Sequence, residues 1–152
     1  MDGIHLRPGA AADVAVIHAL LCALEKALGA ERSVKRTEED IRRFGFGESP
    51  RFKTLVAWHG DDPVGLALFF PEFSSWRGSP GVYVQDLYVS EKLRGAGLGR
   101  ELMEAVYAEA HRWGATYCKL AVYGDNEAAV KFYQQLGFRV SEDERVLVLD
   151  ML

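Results

Sequence analysis

The chain has 152 residues, a length that fits one domain, 1–152, and allows roughly 70% of the unfolded surface to be buried in a full core. Apolar residues make up 49% and charged residues 26%, and a net charge of −4 from 18 cationic and 22 acidic side chains excludes the whole-chain basic field that nucleic-acid binding uses. No apolar run reaches the length of a membrane span, and the N-terminus Met1-Asp2-Gly3-Ile4-His5 has neither part of a signal peptide, so the expected compartment is cytoplasmic.

Ile4 to Arg7 alternates and predicts a first strand, ended by Pro8-Gly9. Asp13 is a candidate N-cap for a helix carrying Val14, Ile17, Leu20, Leu21, Leu24 and Leu28 at spacings of three and four, and Gly29 ends it. Thr37-Glu38-Glu39-Asp40 resembles a capping box opening a second, short helix. Phe52 to Trp58 predicts a strand, His59-Gly60-Asp61-Asp62 a hairpin turn, and Val64 to Phe70 a second strand ended by Pro71. A loop from Pro71 to Gly81 carries Phe73 and Trp76, and a strand follows from Val82 to Val89. The next helix presents Leu98, Leu102, Val106, Ala110 and Trp113 on one side, with Glu109 lying inside that apolar stripe. Thr116 to Val122 predicts another strand. Asp125 or Asn126 caps a last helix that Gly137 closes. Phe138 to Val140 and Arg145 to Leu152, on either side of an acidic turn, predict a terminal hairpin. Meander strands flanked by helices predict a mixed α/β or α+β sheet. Cys22 and Cys118 sit in apolar periodic segments and are read as buried small hydrophobes rather than a metal pair; no metal is expected.

The chemistry concentrates at Arg94-Gly95-Ala96-Gly97-Leu98-Gly99, between a strand and a helix. Free N–H groups and the positive end of the helix dipole attract an anion there, and glycines let a ligand approach the backbone. Gly99 is followed by Arg100 and Glu101 rather than the Lys and Ser or Thr of a P-loop. Arg100 also stands where the dinucleotide fingerprint needs its third glycine. A phosphate-bearing ligand of another kind is expected, the alternative being a tight turn without a ligand.

Together, the glycine turn after Leu87-Tyr88-Val89, the strand Lys119-Leu120-Ala121-Val122, Asn126, Tyr133 and Leu136-Gly137-Phe138 resemble the GNAT superfamily of N-acetyltransferases. Arg7-Pro8, Phe44-Gly45-Phe46-Gly47-Glu48 and the Phe69-Phe70…Trp76 stretch are similar to its diamine and thialysine acetyltransferase branch. The resemblance implies a GNAT fold: a single mixed, mostly antiparallel sheet, splayed between its fourth and fifth strands, with helices on both faces. It implies acetyl-CoA as cosubstrate and a small-molecule primary amine as acceptor, attacked directly in a ternary complex, with no nucleic-acid or membrane partner. Family members often dimerise, so a homodimer is expected.

By the same resemblance, Leu87, Tyr88 and Val89 meet the pantetheine arm or thioester carbonyl, and Gly95, Ala96, Gly97, Leu98, Gly99 and Arg100 hold the pyrophosphate. Arg94 adds charge there or is solvated. Asn126 binds the pantetheine amide or only caps its helix. Tyr133 is the general acid for the leaving thiolate, or a core tyrosine. Asp86 is the candidate base for the attacking amine, or an ordinary strand residue. Gln85, Asp86 and Trp76 are candidates for contact with the acceptor, although Trp76 suits core or dimer packing equally. Polyamine-acetylating relatives carry carboxylates where Leu28, Ser74 and Gln85 align, so a second ammonium would lose partners here. Two other functions fit the same motifs: acetylation of a protein lysine or N-terminus, and a non-catalytic acyl-CoA-binding regulatory module.

Overall fold

A computed structural model describes residues 3–151. They form two units, one running through Ala121 and one from Val122 onward. The first holds a five-stranded sheet in the order β1 (Ile4–Pro8), β2 (Lys53–His59), β3 (Asp62–Ser74), β4 (Ser79–Val89), β5 (Cys118–Leu120). Neighbours are antiparallel except β4 and β5, which run parallel. Helices α1 (Val14–Ala27), α2 (Glu38–Phe46) and α3 (Leu98–His111) complete this unit.

Alternation along β3 sorts the core into two layers. Leu66 and Leu68 turn with Val56 and Trp58 toward Ile17, Leu20 and Leu21 of α1 and Ile41 of α2. Gly65 and Phe69 turn the other way: a Cβ on Gly65 would lie 3.1 Å from Leu102 of α3, and Phe69 stacks on Trp113 just past that helix. Helices therefore cover both faces, as expected. Glu109, the charge in the α3 stripe, reaches Lys53 and Arg112 at 3.5 Å each.

Several local expectations hold with defined chemistry. Thr37 and Asp40 form the capping box reciprocally, the Asp40 N–H donating to Thr37 Oγ1 at 3.2 Å and the Thr37 N–H to Asp40 Oδ2 at 2.9 Å. Others need correction. The Asp13 side chain makes no cap to α1; its carboxylate accepts from the Ala10 N–H at 2.9 Å. β3 does not stop at Pro71 but continues to Ser74, so the expected loop is a long hairpin with its tip at residues 75–78. Pro71 is tolerated because β2 pairs β3 only as far as Phe69, which makes β3 an edge strand beyond that point. Cys22 is exposed rather than buried.

The second unit contains α4 (Glu127–Gln135). Residues 138–151 hold no strand, so the terminal hairpin is not formed among them. Val146, Leu147, Val148 and Leu149 are each more than four-fifths exposed. That run is apolar without alternation and has no laddered neighbour, and it is the ladder that makes a strand. Leu152 lies outside the described residues.

Candidate functional site

β4 is the axis of the site. It pairs with β5 only over Val82 to Val84, against Cys118 to Leu120. From Gln85 to Val89 it keeps β3 on one side and, among the described residues, has no strand on the other. Backbone N–H and C=O groups of Leu87, Tyr88 and Val89 that face away from β3 therefore open into a wedge. This is the splay expected from sequence, and its cause is a pairing that ends after three residues.

A β-bulge marks the start of the wedge. Leu68 pairs with Asp86 and Phe69 with Val84, so Gln85 is the extra residue on β4 and is exposed. Directly opposed residues of an antiparallel pair share a face. Asp86 therefore lies beside Leu68, and Tyr88 beside Leu66, on the face covered by α1; Tyr88 packs against that core. Burial pushes the Asp86 carboxyl up from 3.8 to about 6; the Glu25 carboxylate adds to the rise and the Arg36 guanidinium opposes it.

The wedge strand leads into the glycine turn. Gly95 and Gly97 have φ of +81° and +91°, and a Cβ on either would meet nothing within 4 Å. Both face open space. Gly97 is the N-cap of α3, so the N–H groups of Leu98, Gly99 and Arg100 begin the helix without intrahelical acceptors. The Leu98 side chain is fully buried and anchors this end, while Ala96 and Arg100 are exposed. Arg94 Nε donates to the Val89 carbonyl at 3.2 Å, which ties the turn to the end of β4. Oriented donors at a helix start, with room above two left-handed glycines, fit a diphosphate.

In the second unit, Asn126 Oδ1 accepts from the Ala129 N–H at 3.1 Å, so this side chain caps α4. Tyr133 is half-buried, with its ring edge-on to Phe132 and Phe138. Its carbonyl accepts from the Phe138 N–H, while the Gly137 N–H donates to Gln134. That pair is a Schellman motif, with Gly137 at φ +100° and the Tyr133–Phe138 contact as its apolar partner. The motif fixes the last turn of α4, on which Tyr133 sits.

Trp76 is not brought to Asp86 within one chain. It stands 99% exposed at the β3–β4 hairpin tip. Seven residues of β4 separate Ser79, at the base of that tip, from Asp86, roughly 23 Å at about 3.3 Å per residue. Ser74 lies beside the tip, and Leu28 is the C-cap of α1.

Two residues were missed in the sequence. Glu25 stands one helical turn before Leu28 on α1, and Arg36 comes from the connection to α2. They form a two-pronged ion pair, Nη1 to Oε2 at 2.5 Å and Nη2 to Oε1 at 2.9 Å. The sequence signal for Glu25 was the stripe His18, Cys22, Glu25 on one face of α1. Arg36 gave none, because its position depends on the path of residues 28–37. Among the described residues no group of three or more His, Cys, Asp or Glu side chains could hold a metal ion.

β4, unpaired with β5 beyond Val84, and the left-handed glycine turn that follows it at the start of α3 are the features set beside known proteins. The Acetyltransferase (GNAT) family matches residues 17–138, and the chain belongs to that family. It is similar to a thialysine N-epsilon-acetyltransferase of Sus scrofa, 37% identical over 114 residues, 70% of this chain and 66% of the relative. It is also similar to an L-ornithine N5-acetyltransferase of Arabidopsis thaliana, 33% identical over 83 residues, 55% of this chain and 36% of the relative. An integron cassette protein from the mobile metagenome of V. cholerae shares the fold, with a TM-score of 0.81 and 20% identity over 99% of this chain and 94% of that one. The chain spans about two thirds of the length of the thialysine acetyltransferases it matches.

Proposed function

We propose that residues 1–152 act as one acetyl-CoA-dependent N-acetyltransferase domain, whose acceptor is the primary amine of a small molecule such as a diamine or a thialysine-like amino acid. The observation that carries this reading is the half-paired β4: one strand supplies open backbone groups, a half-buried carboxylate next to its bulge, and the run into the glycine turn.

Acetyl-CoA would supply the acyl group as an activated thioester. The N–H groups from Gly95 to Arg100 hold its pyrophosphate, and the backbone of Leu87 to Val89 receives the pantetheine and the thioester carbonyl. Oriented amides need little reorganisation when charge arrives. Arg94 fastens the turn and leaves its Nη groups for the phosphates. Asn126 Nδ2, not used in its cap, is assigned to the pantetheine amide.

The acceptor amine must lose a proton. With a pKa of about 10.4, on the order of one part in a thousand or less is neutral at pH 7. Asp86, at about 6, is ionised at neutral pH and takes that proton directly or through water. Tyr133 acts as the acid, since a phenol near pKa ~10 holds its proton at pH 7 and can deliver it to a thiolate. Gln85 borders Asp86 at the bulge and is assigned to acceptor contact. A homodimer in the cytoplasm completes the proposal, with exposed Phe73 near the end of β3 and Trp76 at the hairpin tip as the interface contribution.

Initial rates measured over a grid of acetyl-CoA and amine concentrations test the direct-attack mechanism. Intersecting double-reciprocal lines are expected; parallel lines, the sign of an acetylated enzyme, would overturn it.

A further inference from the structure

Glu25 and Arg36 close the connection between α1 and α2. Arg36 Nη1 donates to Glu25 Oε2 at 2.5 Å and Nη2 to Oε1 at 2.9 Å, across 11 positions of sequence. Backbone chemistry pins each end of this closure. The Glu25 carbonyl accepts from the Ala30 N–H and that of Lys26 from the Gly29 N–H, with Gly29 at φ +69°, a second Schellman motif. Arg36 directly precedes Thr37, the N-cap whose reciprocal box with Asp40 fixes the entry to α2. A two-pronged guanidinium–carboxylate contact holds both planes in one orientation. The side chains are 21% and 14% exposed, so solvent screens them only in part.

The fork borders the Asp86 face of the sheet. Arg36 and Asp40 line a cavity of about 200 Å³ with Leu68 of β3. Leu68 is directly opposite Asp86 in the β3–β4 pair, and Thr54 of β2 is directly opposite Leu68. Neither carries charge. The charges on this face come from the helices and their connection: Glu25 of α1, Arg36, and Asp40 of α2. His18 and Cys22 of α1 lie along Arg36, with His18 Nδ1 3.4 Å from its Nε and Cys22 Sγ 3.8 Å from its Nη2. Asp40 Oδ2 accepts from the Thr37 N–H. After burial, the largest cause of its raised value, Glu25 raises the Asp86 carboxyl and Arg36 lowers it, in that order of size.

We propose that Glu25 and Arg36 are the positioning pair for the base Asp86: the fork closes the α1–α2 connection beside that face and sets the field in which Asp86 takes the proton of the acceptor amine. This rests on the reading of Asp86 as base given above. Neither residue touches the reacting atoms in this role. Opposite charges held in fixed places act on one carboxyl with opposite signs, which separates a field from a packing defect. Without the Glu25 charge, Asp86 ionises more easily. Without that of Arg36 it ionises less easily, because the Glu25 carboxylate then stands uncompensated. Asp40, His18 and Cys22 are unchanged in every variant below, so they form a common background and do not decide the sign.

The test reads Asp86 in two ways, in the full chain, for wild type, Glu25→Gln, Arg36→Gln and Arg36→Lys. One is the acid limb of the kcat/KM profile, with acetyl-CoA and the fastest amine of a diamine and diamino-acid panel. The other is a carbon-13 NMR titration of the Asp86 carboxyl, assigned by its absence from Asp86→Asn. Glu25→Gln should move both to lower pH by about 0.3–1, and Arg36→Gln should move both to higher pH by a similar amount. Arg36→Lys keeps the charge without the fork and should fall between wild type and Arg36→Gln. Arg36→Met, which keeps the apolar stem beside the cavity, takes the place of Arg36→Gln if that variant does not fold. A purely structural pair would loosen the connection in both variants, admit water to Asp86 and lower both values. Displacements of the same sign, or none, therefore overturn the inference and leave acetyl transfer intact. An Asp86 titration that moves while the acid limb stays removes Asp86 as the base, and the inference falls with the reading on which it rests. Turnover of no amine removes the function itself, whatever the titration shows.

Discussion

Replacing Asp86 by Asn separates a loss of chemistry from a loss of fold, because the two effects should have opposite signs. The Asp86 carboxyl is raised from 3.8 to about 6 by burial first and by Glu25 second. The folded chain therefore binds this proton more tightly than the unfolded chain between those values. The contribution to stability is complete below about pH 4 and is lost as pH rises through 6. A shift of about 2 units at 1.36 kcal/mol each puts the cost of ionised Asp86 at pH 8 near 3 kcal/mol. Asn carries no such cost. Asp86→Asn should therefore melt roughly 6–12 °C above wild type at pH 8 and close to it at pH 4. Its kcat should fall about 10²–10⁴-fold, and the acid limb of kcat/KM near pH 6 should disappear. Thermal melts at the two pH values, set beside pH–rate profiles, read both effects. A variant less stable than wild type at pH 8 would refute the desolvated carboxylate, and a rate loss below about tenfold would refute its role as base.

Three other changes probe the remaining parts. Tyr133→Phe should lower kcat by about 10²–10⁴ at saturating amine with little change in melting temperature; an unchanged rate with chemistry limiting would remove the tyrosine as acid. Gly97→Val forces a β-branched residue to φ +91°, at a cost of about 1–2 kcal/mol or more set against a typical domain stability of about 5–15 kcal/mol. The chain should stay folded by circular dichroism while calorimetric CoA affinity falls at least about 100-fold; retained affinity would move the pyrophosphate elsewhere. Gln85→Glu places an exposed carboxylate at the bulge, worth up to about 1 kcal/mol to a second ammonium, so diamine KM should fall by up to about fivefold. No change there would leave diamine selectivity to another determinant.

The parts of the fold legible in sequence were those set by local chemistry. The α1 stripe from Val14, the Thr37–Asp40 box, the Asn126 cap and the Gly137 stop each depend on residues within one or two turns, and each is present. The glycine turn was legible for the same reason, since left-handed backbone at Gly95 and Gly97 is a property of those residues. Pairing was harder. Pro71 reads as a terminator until β2 is known to end opposite Phe69, and the apolar run Val146 to Leu149 reads as a strand although nothing ladders with it. The acceptor side was least legible. Gln85 and Asp86 were marked as neighbours on β4, but their division into an exposed bulge and a half-buried carboxylate comes from a register slip against β3. The partner charges, Glu25 and Arg36, come from another helix and a connecting segment whose approach no spacing encodes.

The central claim is acyl transfer to a small amine, and it is tested most directly by incubating the chain with acetyl-CoA and a panel of diamines, diamino acids and lysine-bearing peptides. Thiol release and N-acetyl product would be followed together, the second by mass spectrometry. The account predicts CoA released in equal amount to the N-acetylated small amine, with peptides inert. Acetyl-CoA binding without turnover of any acceptor, or product formed only on peptides, would contradict it.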